Sequence, residues 1–96
     1  MNATITNQKL EQYFSITKEA LGKAAKALDD TRLDQATDFL DMAQRYYDDA
    51  FFFSQKKHDF VLAFAALNYA HGWLDAGARI GLFKVKDSRL FTVDDE

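Results

Sequence analysis

Residues 59–81 read DFVLAFAALNYAHGWLDAGARIG, and this stretch decides the fold. Set at about 100° per residue, Phe60, Leu62, Ala63, Ala66, Leu67, Tyr69, Ala70, Trp73, Leu74, Gly77 and Ile80 fill well over half of a helix circumference. Such an arc covers two neighbours at once. At its centre Ala63, Ala70 and Gly77 recur every seven residues, so small side chains allow close helix approach while Trp73 and Leu74 fill the flanks. Asp59 is the natural N-cap, and Gly81 stands where a left-handed C-cap is wanted, which bounds this helix at about residues 60–80.

Two further helices lie upstream. Leu10, Tyr13, Phe14, Thr17, Leu21, Ala24 and Leu28 follow three-and-four spacing, predicting a one-sided amphipathic helix over about 6–28. Asp29-Asp30-Thr31 interrupts it, and Thr31 followed by Asp34 resembles a capping box with Asp in place of Glu. The next helix, over about 32–57, carries Leu33, Ala36, Phe39, Leu40, Ala43, Tyr46, Tyr47, Ala50 and Phe51 on one side and closes at Lys56-Lys57. Helices of similar length joined by short connections must reverse direction at each turn. The expected fold is all-α: an antiparallel up-down-up three-helix bundle forming a single domain over residues 1–96. The tail, 82–96, has Leu82, Phe83, Val85, Leu90, Phe91 and Val93 without a helical period. It is expected to fold back as an extended strap over an open edge, with Asp94-Asp95-Glu96 frayed.

Composition agrees with one compact domain. The chain has 96 residues, 48% hydrophobic and 28% charged, with no cysteine, no proline and a net charge of -3. That apolar share excludes disorder, and the lack of cysteine excludes a disulfide framework and thiolate metal sites. The missing proline and scarce glycine remove the punctuation of turn-rich β proteins. An acidic balance opposes wholesale neutralisation of phosphates, so nucleic acid is not an expected partner. No apolar run approaches the roughly 20 residues of a membrane span, and the start MNATITNQKL lacks signal-peptide order, so the expectation is a cytoplasmic location and no membrane.

The run from Arg45 to Phe83 resembles the archaeal family known as domain of unknown function 357. The resemblance rests on Arg45, Tyr46, Tyr47, Asp49 and Ala50, then Asp59-Phe60 and Ala63, then Tyr69-Ala70, Gly72, Leu74, Asp75 and Ala76. It implies a small spectrin-like three-helix bundle in an archaeal cytoplasm and supplies no activity. More distantly, the same hairpin is similar to HEPN domains, some of which are RNases using an arginine and a histidine four to six residues apart on one helix. Here Arg45 is far from His58, and His71 precedes Arg79, so that nuclease motif is missing.

Three features are candidates for function. Asp34, Asp38, Asp41, Arg45 and Asp48 follow four-three-four-three spacing along the outer face of the second helix, with Asp49 beside them. Like charges so placed cost about 0.2–0.5 kcal/mol a pair, which a purely structural face avoids by mixing Glu and Lys. Phe51-Phe52-Phe53 cannot all face one core; with Phe51 inward, Phe52 points into the acidic stripe as an exposed aromatic ringed by charge. Asn68, His71, Asp75 and Arg79 form a polar stripe on the third helix, read as a structural network joined to the second helix through Tyr47, Tyr46 or Arg45. Asp34, Asp38, Asp41, Arg45, Asp48 and Phe52 are thus the candidate interaction surface. No catalytic, cofactor-binding or metal-ligating set is expected. His71 and Asp75 with Asp48 or Asp49 make a poor metal set beside the Glu-rich pattern of di-iron bundles. The expected function is a non-enzymatic interaction or scaffold module for a protein partner or a second copy of itself; the alternative is a HEPN-like nucleic-acid-associated protein without the nuclease motif.

Overall fold

The computed structural model describes residues 4–93, so the expected fraying of Asp94-Asp95-Glu96 lies outside the described residues. Three helices run α1 (Asn7–Ala25), α2 (Leu33–Gln55) and α3 (Phe60–Arg79), with a 3-10 turn over Asp30–Arg32 and an isolated antiparallel bridge between Leu28 and Phe83. This is the all-α three-helix bundle that the apolar spacing predicts.

Each boundary has a local cause. The Thr6 side chain accepts from the Lys9 amide at 3.1 Å and opens α1. The helix stops about a turn before Leu28 because residues after Lys26 leave the spiral to pair with the tail: the Lys84 amide donates to the Ala27 carbonyl at 2.7 Å and the Asp29 amide to the Leu82 carbonyl at 2.9 Å. The expected Thr31–Asp34 capping box does not form. Instead Asp29 caps the 3-10 turn, accepting from the Thr31 amide at 3.0 Å and the Thr31 hydroxyl at 2.8 Å, while the Arg32 Nε–H donates to its second oxygen at 3.0 Å. The Thr31 hydroxyl is thereby turned backwards and cannot serve the helix that follows. Asp59 caps α3, accepting from the Leu62 amide at 3.0 Å, and Gly81 takes the left-handed conformation, φ 81°, after its C-terminus. Both match the expectation.

The most extensive helix contact joins α2 to α3. Ala36, Ala43 and Ala50 on α2 are fully buried at seven-residue spacing, and so are Ala63 and Ala70 on α3. Two alanine ridges let the backbones approach closely. Gly77, the third small residue of the α3 series, has a different job: a Cβ there would overlap three ring carbons of Phe83. The series therefore serves α2 at two positions and the tail at the third.

The core divides along the bundle. Near one end Leu10 meets Ala50, Ala63, Ala66 and Leu67. Near the other, Leu21, Ala24, Ala43 and Leu74 are closed over by Phe83, Leu90 and Phe91 of the strap, and Tyr47 borders both clusters. Leu82, Phe83, Leu90 and Phe91 are at most 4% exposed, so the strap is part of the hydrophobic core. Burying a side chain of this size contributes roughly 1.5–3 kcal/mol, which is why a tail without helical period still folds down.

Candidate interaction surface

Because Ala36, Ala43 and Ala50 turn inward, the opposite face of α2 is turned to solvent. Asp34, Asp38, Asp41, Arg45, Asp48 and Asp49 all lie exposed on it. The Arg45 Nε–H pairs with Asp41 at 2.9 Å, and the Gln44 amide donates to Asp48 at 3.0 Å. Arg45 is the one cation on this face against five carboxylates, so its field is negative along its length.

Phe52 stands at the C-terminal end of this face, 48% exposed, with the Lys57 ammonium 5.8 Å above its ring and the Phe53 ring 6.0 Å away. The inward placement of Phe51 is corrected: Phe51 is 55% exposed and borders α1, its ring 6.2 Å from Phe14. Ala50 and Ser54 take the inward positions at this level, and Phe53 packs on the Leu10 cluster. Two of the three phenylalanines therefore meet water.

A second apolar surface was not foreseen as one. Along the α2–α3 hairpin runs a groove of about 550 Å³ lined by Phe39, Ala65, Asn68, Tyr69, Gly72, Trp73 and Ala76. Aromatics line it: Phe39 meets Trp73 edge to face at 5.0 Å, and Tyr69 is backed by Tyr46, the two ring centres 4.5 Å apart. Tyr69 is 58% exposed. The signal was in the sequence, because the apolar arc of α3 is wider than α1 and α2 together occupy.

The polar stripe of α3 joins different partners from those expected. The Thr17 hydroxyl lies 3.2 Å from His71 Nδ1, and His71 Nε2 meets the Leu90 carbonyl. The neutral tautomer with Nε2–H satisfies both, since Thr17 then donates to Nδ1 and Nε2 donates to Leu90. Asp75 accepts from the Thr92 amide at 2.8 Å and lies 3.9 Å from His71. The network thus ties α3 to α1 and the strap. It does not reach α2: Tyr47 is packed against the core, its ring perpendicular to that of Phe14 at 5.6 Å, and Asn68 and Arg79 take no part in it among the described residues. Burial first and the Asp48 charge second push the Tyr47 phenol up.

A second clasp holds the strap. Asp87 accepts from Lys23 of α1 and from Arg89, each at 2.7 Å, and Arg89 also reaches Glu19 at 3.4 Å. The Arg89 guanidinium, then Lys23, hold the Asp87 carboxyl far below the usual carboxylate range.

Among the described residues no three of His, Cys, Asp or Glu gather as metal ligands do, and no helix is long and apolar enough to cross a membrane. No curated protein and no solved structure matches this chain. Residues 12–83 match the family described as Protein of unknown function (DUF357), a match that spans all of α2 and α3 and most of α1. The chain belongs to that family.

Proposed function

We propose that this chain is a non-enzymatic helical interaction module, which presents the acidic face of α2 and the aromatic beside it to a protein partner. The observation that carries the reading is Phe52, half exposed at the end of a face bearing Asp34, Asp38, Asp41 and Asp48. A large aromatic held in water costs solubility, and aspartates at close helical spacing cost helix stability, so a surface combining both suits recognition better than folding. The lack of cysteine supports a cytoplasmic setting, and the family resemblance supports an archaeal one.

Capture of partners from native lysate, comparing wild type with Phe52→Asp combined with Asp38→Lys, tests it. Both changes are on exposed positions, so circular dichroism is expected to be unchanged while specific partners are lost. Equal retention by both proteins, each running as a monomer, overturns the reading.

A further inference from the structure

α1 contributes no residue to the lining of the aromatic-walled groove between α2 and α3. That lining includes Gly72, an exposed residue in the middle of α3 that, with Asn68, also borders the cleft towards α1. Neither turn geometry nor internal packing requires a glycine there: its φ is not positive, and nothing lies within 4 Å of the place a Cβ would occupy. A residue that weakens a helix, placed beside Tyr69, Trp73 and Ala76 of the lining, leaves the backbone bare for close approach from outside. Gly22 is equally open, but it sits among Lys18, Glu19, Lys23 and Lys26 with no apolar wall beside it.

The rim supplies the sign of the occupant. Asp38, next to the lining residue Phe39, and Asp49, one turn beyond Tyr46, are exposed on the α2 side of the groove, whose own lining bears no charge. A second copy of this chain brings the same acidic rim and so repels itself there. We propose that the groove receives an amphipathic helix of another protein, its apolar face between the Phe39–Trp73 and Tyr46–Tyr69 pairs and its Lys or Arg residues along the edge facing Asp38 and Asp49. This rests on the interaction-module reading and adds the seat and chemistry of the partner.

Trp73 is the only tryptophan of the chain, so its emission reports on the groove directly. The probe is a synthetic helical peptide of about 20 residues, with Leu and Ala on one face, Lys along one flank and no Trp or Tyr. A twin carries Glu in place of Lys. The Lys peptide is expected to shift Trp73 emission and to bind at least about tenfold more tightly than the twin, a preference that shrinks with added salt. Gly72→Gln and Ala76→Gln, both at exposed positions, are each expected to weaken binding by about tenfold with helical dichroism intact. Trp73 emission unmoved by either peptide, or undiminished binding to both variants, overturns the proposal. So does a dimer without peptide that dissociates in Gly72→Gln, which assigns the groove to a second copy. Lysate capture separates the two readings: partners kept by Gly72→Gln but lost by Phe52→Asp/Asp38→Lys remove the groove alone, and partners kept by both variants remove both.

Discussion

Phe83 of the strap lies against the bare backbone of Gly77 on α3, so closely that a Cβ at Gly77 would overlap its ring. This contact reverses the ordinary ranking of helix formers. Alanine normally stabilises an exposed helix position relative to glycine by about 0.5–1 kcal/mol, and that gain is expected for Gly72→Ala and Gly22→Ala, where the space is open. Gly77→Ala is expected to lose about 1–3 kcal/mol by overpacking. Urea denaturation of the three variants checks the sign, and Phe83→Leu in the Gly77→Ala background should recover part of the loss.

Asp29 sets the acid limit. The Thr31 hydroxyl, the Thr31 amide and the Arg32 guanidinium together hold its carboxyl at about 2, against an ordinary 3.8. The folded pKa is the lower one, so the stabilisation is fully present above the unfolded value and is lost as pH falls through the folded value. Asp87 is displaced in the same direction and adds to the effect. Wild type is therefore expected to lose stability from about pH 4 down to about pH 2, and Asp29→Asn to take up about one proton fewer across that window. Denaturation midpoints measured at steps of pH give both slopes; identical slopes would show that the Asp29 carboxylate is not what the turn depends on.

Repetition explains how far the fold could be read from residues alone. Seven-residue and three-four spacing placed α1, α2 and α3, and the Asp59 and Gly81 caps act on backbone groups within a few residues, so their effect is local. The turn after α1 departs from the expected box because Asp29 takes the Thr31 amide that the Asp34 side chain would have used, and Asp29 is held there by Arg32, whose Nη2 also donates to the Ile80 carbonyl at 2.8 Å. That contact crosses the bundle and leaves no periodic trace. The partners of His71 and Asp75 were misplaced for the same reason: the strap residues Leu90 and Thr92 reach them from a segment without a period. On the surface, the acidic face of α2 follows from spacing, whereas the groove depends on which part of the α3 arc α1 leaves uncovered.

His71 joins the strap to a buried hydroxyl. Thr17 is 2% exposed and its oxygen is partnered by His71, so His71→Ala leaves that hydroxyl without its acceptor and frees the Leu90 carbonyl. A loss of about 1–3 kcal/mol is expected, because an orphaned buried polar group costs its full desolvation. Thr17→Val in the same background removes the orphan and should restore part of it. Amide exchange at Leu90 to Thr92 locates the effect: exchange should quicken in His71→Ala, and unchanged protection there would detach the strap from His71.

Asp38 brings stability and recognition into opposition. It has Asp34 four residues before it and Asp41 three residues after it on the same exposed face, and each such like-charge pair costs about 0.2–0.5 kcal/mol. Asp38→Lys turns both repulsions into attractions and is expected to raise stability by about 1–2 kcal/mol at low salt. The gain should fade as ionic strength rises, since exposed charges are screened over about 8–10 Å at 0.1–0.15 M. If the face evolved only to be solvated, the variant is simply a better protein and loses nothing. If it serves a partner with basic residues, the same substitution places a cation at the rim of the binding surface and weakens binding while the fold grows more stable. Denaturation at two salt concentrations, set beside Lys-peptide binding to the same variant, measures both quantities on one protein, and a stability gain without a binding loss would assign the aspartates to solvation alone.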